Sequence, residues 1–151
     1  MQKDDLQQFL NIRNSIRTAL HDSREFNLDE CEIWFKKKPQ DYWVIISKRE
    51  IIGYFRFEMA NDSPNTGIIG MDLDPMIHGQ GNAKPLYRQF CEEIVPKYGA
   101  TQLRLRVLKS NDRAFALYAS MGMAISEETQ VDYEMQSTVD QLLVRLSRDL
   151  N

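Results

Sequence analysis

Histidine and cysteine are scarce in this chain, two of each among 151 residues. His21 and His78 stand far apart, and no C-x-x-C links Cys31 to Cys91. Neither zinc-ligand spacing nor a disulfide framework is indicated, and no metal is expected. Two thiols at distant helical positions read as reduced core side chains, the ordinary state in a cytoplasmic protein. Charge of one sign is lacking too: 19 Lys and Arg stand against 22 Asp and Glu, a formal net charge of -3. Without a basic stripe the chain has no visible footprint for nucleic acid. The run Lys36-Lys37-Lys38 falls at a helix end, where cations suit the dipole. No apolar run approaches the ~18 residues of a membrane span, and residues 1–5 lack a signal-peptide layout. The expectation is a single cytoplasmic domain over residues 1–151, with no membrane or nucleic-acid partner.

What is present is a clear succession of periodicities. Leu6, Phe9, Leu10, Ile12, Ile16 and Leu20 fall at helical spacing over residues 4–20. Asn27 reads as the N-cap of a second helix, with Asp29 and Glu30 in its first turn and Pro39 stopping it. Its apolar face carries Leu28, Cys31, Trp34 and Phe35. Residues 42–47 and 51–59 are β-rich, joined by Lys48-Arg49-Glu50 as a hairpin. Turn chemistry at residues 61–65 precedes a strand over 66–73, in which Gly70 marks a bulge or a close backbone approach. A helix is expected over 81–98, with Pro85 tolerated in its first turn and Gly99 ending it. Residues 102–108 alternate as a half-buried strand. Residues 111–121 form a short helix ended by Gly122, and 123–126 and 131–136 are two further strands. Val139, Leu142, Leu143, Leu146 and Leu150 share one face of a last helix. Helices covering a mostly antiparallel sheet are the architecture this order implies.

The most informative stretch is His78-Gly79-Gln80-Gly81-Asn82-Ala83, between the strand ending at Asp74-Pro75 and the next helix. A glycine turn feeding a helix N-terminus exposes unpartnered backbone N–H groups to an anion, reinforced by the helix dipole. Glycine permits φ > 0 and close approach to a phosphate. A Walker A loop needs Gly-Lys-Ser/Thr, whereas Ala83-Lys84-Pro85 stands here. A Rossmann turn wants a third small residue where Lys84 lies, and a βαβ opening that this chain lacks. A kinase-type glycine loop needs a catalytic Asp and metal-binding set that a chain this short does not hold.

A second pattern follows from Val107 to Met123, with Asn111, Ala114, Leu117-Tyr118 and Gly122 in the order V-x-x-x-N-x-x-A-x-x-L-Y-x-x-x-G-F; Met123 replaces the final Phe. Together with Gly-x-Ala at 81–83 and Pro75 upstream, the chain resembles the GNAT superfamily of acetyl-CoA-dependent N-acetyltransferases. The resemblance runs from about residue 4 to residue 136. It implies an α/β (α+β) fold with a mixed, mostly antiparallel sheet and flanking helices. The family's first strand is missing, and a C-terminal helix is added. His78 stands where the family has Gln or Arg.

The resemblance also implies roles. Backbone N–H groups of His78, Gly79, Gln80, Gly81, Asn82 and Ala83 would hold the pyrophosphate of coenzyme A. The backbone of Met71 and Leu73 would pair with the pantetheine arm like an added strand, and Asn111, an N-cap by position, would reach the cofactor. Tyr118 would protonate the departing thiolate. The base is less defined: Asp72 alternates to the face opposite Met71 and Leu73, Glu58 on the neighbouring strand is another option, and ordered water is a third. Trp34, Phe35, Tyr42 and Trp43 divide between core and acceptor pocket. Arg13, Arg17, His21 and Arg24 read as a solvated helix face or as contacts to an anionic acceptor. The expected function is acetyl transfer to a primary amine of a small molecule, an amino sugar first, by direct attack in a ternary complex. A protein N-terminal acetyltransferase and a non-catalytic acyl-CoA-binding regulatory module are the alternatives. The last helix offers a homodimer contact as a further reading.

Overall fold

The computed structural model describes residues 1–37 and 41–148. Lys38 and Pro39, expected at the end of the second helix, and Leu150, expected on the last one, lie outside the described residues. Six strands form one sheet in the order β1-β2-β3-β4-β6-β5. They are β1 (Asp41–Ser47), β2 (Glu50–Met59), β3 (Thr66–Leu73), β4 (Gln102–Leu108), β5 (Ala124–Glu128) and β6 (Asp132–Thr138). Among the described residues five α-helices accompany them: α1 (Leu6–Ser15), α2 (Leu28–Lys37), α3 (Ala83–Glu93), α4 (Asp112–Ser120) and α5 (Val139–Arg148). The order opens on helix, as expected for a sheet lacking a first strand. Two compact units divide the chain: Met1–Glu58 with Gly70–Gln80, and Met59–Ile69 with Gly81–Asn151.

In the first unit α1 and α2 bury an aromatic cluster with β1 and β2. Phe9 stacks on Trp34 at 5.1 Å and meets Tyr42 edge-on at 5.6 Å and Tyr54 at 4.5 Å. Such pairs add ~0.5–1.5 kcal/mol each beyond their buried area. Asn27 caps α2 reciprocally: Glu30 N donates to Asn27 Oδ1 at 3.0 Å, and Asn27 N donates to Glu30 Oε2 at 2.9 Å. The N-cap expected at Asn27 is thus present, and Glu30 completes it as a capping box. Leu28, expected on the apolar face, is exposed, while Cys31 is buried and Trp34 and Phe35 pack against the core. β1 and β2 join through Lys48 and Arg49 alone, because Ser47 already pairs with Glu50. Both turn residues take φ > 0, at 50° and 73°, as a two-residue type I′ hairpin requires.

Arg13 departs from the solvated reading. Its side chain is buried. One guanidinium nitrogen donates to Arg24 O, and Nη2 donates to Asp22 O at 2.6 Å. Its Cζ stands 4.1 Å over the Phe26 ring. The residue ties the segment between α1 and α2 to the end of α1, using several donors that a planar guanidinium presents at once.

In the second unit the parallel ladder between β3 and β4 pairs Thr66, Gly67 and Ile68 with Gln102, Leu103 and Arg104. β4 then pairs antiparallel with β6 along all seven residues, from Gln102↔Thr138 to Leu108↔Asp132. Leu103, Leu105 and Val107 point into the core, as their alternation suggests. The helix expected over 81–98 is shorter: α3 stops at Glu93, and a 3-10 turn (Val95–Tyr98) completes the segment. Pro96 explains the break, since it removes an N–H and clashes with a preceding carbonyl. Gly99, at φ 70°, ends it. Leu142 and Leu146 of α5 are fully buried. Arg145 Nε donates to Ser120 O at 3.3 Å, so α5 braces the end of α4.

Candidate active site

The glycine turn is held by its own polar groups. Asp74 Oδ1 accepts from Met76 N at 2.8 Å, capping the 3-10 turn Pro75–Ile77. Ile77 N donates to Asp74 O and His78 N to Pro75 O. The His78 ring turns back to the strand end, with Nε2 2.9 Å from Leu73 O. A carbonyl only accepts, so Nε2 carries the proton. Gln80 Nε2 donates to Met76 O at 2.9 Å. The side chains at 78 and 80 therefore shape the turn.

Gly79 and Gly81 both adopt φ +76°, and a Cβ at either position would meet nothing within 4 Å. Backbone conformation, not crowding, demands glycine here. The open side of the turn suits a group that approaches the backbone closely. Asn82 and Ala83 open α3, whose first N–H groups have no partner inside the helix. A pyrophosphate fits this donor set.

Asn111 caps α4, its Oδ1 accepting from Ala114 N at 3.1 Å. Within α4, Tyr118 is buried. The Tyr87 hydroxyl of α3 donates to Tyr118 Oη across 3.3 Å, and the two rings meet edge-on at 6.0 Å. Gly122, at φ 90°, reverses the chain after α4.

Asp72 sits in a polar group on β2 and β3. Arg56 Nη2 reaches its Oδ2 at 3.3 Å, and the carboxylate charge acts on the buried Tyr54 phenol. Only 11% of the Asp72 side chain is exposed. Burial first, then the Asp72 charge, pushes the Tyr54 phenol well above its usual range. Burial likewise pushes Tyr42 up to about 12, against the pull of Arg56. Gly70 is the close approach its position suggests: a Cβ there would lie 2.4 Å from Arg56 Nη2 and 2.8 Å from Cζ. Met71 is half-buried and Leu73 buried. Cys91 is buried, its thiol pushed up to about 12, and burial raises Cys31 as well. Neither is an activated nucleophile.

A family model described as "Acetyltransferase (GNAT) family" matches residues 6–123. The chain belongs to the GNAT family of acetyltransferases. No curated protein has a matching sequence. Solved GNAT-like folds cover nearly the whole chain. One is a Salmonella typhimurium protein holding its cofactor acetyl-CoA, 17% identical, covering 93% of this chain and 91% of its own, TM-score 0.73. Another is the spermidine/spermine N-acetyltransferase of Vibrio cholerae, 17% identical, covering 96% and 94%, TM-score 0.77. A third is the ribosomal-protein-alanine N-acetyltransferase of Brucella melitensis, 16% identical, covering 91% and 96%, TM-score 0.73. At these identities the likeness is one of fold.

The GNAT motifs lead a sequence reader to Gly81, Asn111 and Tyr118. They do not lead to Tyr54, Arg56 or Tyr87. The alternation of Tyr54, Arg56 and Glu58 on one face of β2 was the signal available for the first two. Tyr87, one turn into α3, has the spacing of an ordinary core aromatic.

Proposed function

We propose that this GNAT protein transfers an acetyl group from acetyl-CoA to a primary amine, by direct attack within a ternary complex. The observation that carries the reading is the pair of left-handed glycines with open space beside them, set directly before the N-terminus of α3. Backbone N–H groups of residues 79–83 hold the pyrophosphate there, His78 N being engaged by Pro75 O, and the helix dipole adds to the attraction. The backbone of Met71 and Leu73 aligns the pantetheine arm as an added strand. Asn111, whose Oδ1 caps α4, reaches the cofactor from the start of that helix.

Acetyl-CoA supplies the activated acyl thioester. The amine nitrogen forms a bond to the acyl carbon as the carbon–sulfur bond breaks. Tyr118 Oη gives its proton to the sulfur, which would otherwise leave as a thiolate. Help of this kind is worth ~10²–10⁴-fold. The amine proton goes to Asp72, directly or through water.

The acceptor is a small molecule, with amino sugars first on the panel. Fold does not choose it, since relatives with a polyamine and with a ribosomal-protein alanine in their names fit this chain about equally well. We read residues 1–151 as one domain. The test is thiol release from acetyl-CoA in the presence of amino sugars, polyamines, amino acids and peptides. Release with a small amine supports the proposal. Release only with peptides points to a protein N-terminus, and silence with retained acetyl-CoA binding points to a regulatory module.

A further inference from the structure

Tyr87 has no role in either family motif, yet it is fully buried and its hydroxyl is directed at Tyr118. Burying a phenol without use for its O–H is costly, so buried tyrosines place that group on a partner. Here the partner is the oxygen that loses a proton in the proposed reaction. Tyr87 is the donor in this contact, so the contact itself does not use the Tyr118 hydrogen. After transfer Tyr118 carries a phenolate, and a donor already aimed at that oxygen stabilises the charged form. The 3.3 Å separation is long for two neutral hydroxyls. Charge-assisted hydrogen bonds are shorter and stronger, so the contact strengthens as charge develops on Oη.

We propose that Tyr87 is a positioning residue for the reaction: it orients the Tyr118 hydroxyl and stabilises the phenolate formed when Tyr118 protonates the leaving thiolate. The inference rests on the general-acid reading of Tyr118. No proton leaves Tyr87 in the step. It donates a hydrogen bond throughout, and the proton that reaches sulfur is that of Tyr118.

Tyr87→Phe keeps the ring and removes only the donor. Its kcat is expected to fall about tenfold with little change in the acetyl-CoA KM. A lost donor makes Tyr118 a weaker acid, so the alkaline limb of the kcat–pH profile moves up by ~1 unit. A purely structural loss lowers kcat without moving that limb. In a Tyr118→Phe background the same change has no further effect on kcat. A readout without cofactor comes from ¹³Cζ-labelled tyrosine in the free protein. The resonance absent in Tyr118→Phe titrates at higher pH in Tyr87→Phe than in the wild type. If both the limb and the resonance stay where they were, the inference is overturned. If Tyr118→Phe itself turns over like the wild type, the general-acid reading fails instead.

Discussion

The guanidinium of Arg56 lies over the backbone of Gly70 and meets the Asp72 carboxylate at 3.3 Å. Two strands are linked through a side-chain contact that a methyl group at position 70 would occupy. The link gives Asp72 a charged partner on the neighbouring strand, Arg56.

Asp72→Asn is expected to lower kcat by ~10²–10⁴-fold, because the amide cannot take the amine proton. The isosteric oxygen still accepts from Arg56, so the loss of stability stays near 1–2 kcal/mol. Steady-state kinetics beside urea unfolding separate the two effects. Unchanged turnover would remove Asp72 from the mechanism.

Two strand glycines are tight for different reasons, and their alanine variants should differ. At Gly53 a Cβ would lie 2.6 Å from the Asp72 carbonyl oxygen. Backbone yields poorly, so Gly53→Ala is expected to cost roughly 1–3 kcal/mol. At Gly70 the obstacle is the mobile end of Arg56. Gly70→Ala is expected to cost under about 1 kcal/mol while weakening the Arg56–Asp72 pair. Urea midpoints for the two variants check the order.

Gly81 and Gly99 both sit at φ near +70°, at 76° and 70°, with open space around them. Alanine at either should cost a similar ~1–2 kcal/mol of conformational strain. Only Gly81→Ala should lose the rise in melting temperature that acetyl-CoA confers on the wild type. Equal protection of both variants would show that the turn does not hold the pyrophosphate.

Alkaline stability has a definite sign. Burial moves Cys91 from an ordinary 9.0 to about 12 and Tyr42 from 10.0 to about 12. Over that range the unfolded chain releases protons that the folded chain retains. Stability is then whole below about pH 9 and declines as pH rises toward 12. Urea midpoints between pH 8 and pH 11 should fall monotonically. Tyr42→Phe should flatten the upper part of the decline.

Much of this fold is written in short-range patterns. Asn27 with Glu30, the alternation of Leu103, Leu105 and Val107, and Gly99 and Gly122 after their helices all act within a few residues. The glycine turn and the Asn111 cap are legible for the same reason. Arg13, Arg56 and Tyr87 are not, because their partners lie 9 to 31 residues away and only the folded chain brings them together. Arg13 looks like a solvated cation until the carbonyls of Asp22 and Arg24 close over it. Pro96 was visible inside the helix expected over 81–98. Helical periodicity alone does not show that one missing N–H ends α3 early.

The His78–Leu73 bond has a consequence for binding rates. A turn tied to its own strand end, with Asp74 and Gln80 holding the residues between, is already in one shape before a ligand arrives. The entropy of ordering it is lost during folding and is not charged again on association. Capture of a phosphate there would be limited by encounter, without waiting for a loop to rearrange. Substitution of His78 by a side chain unable to reach Leu73 O would reverse that order of events. Its mark would be a slower association step, with the dissociation step much less affected.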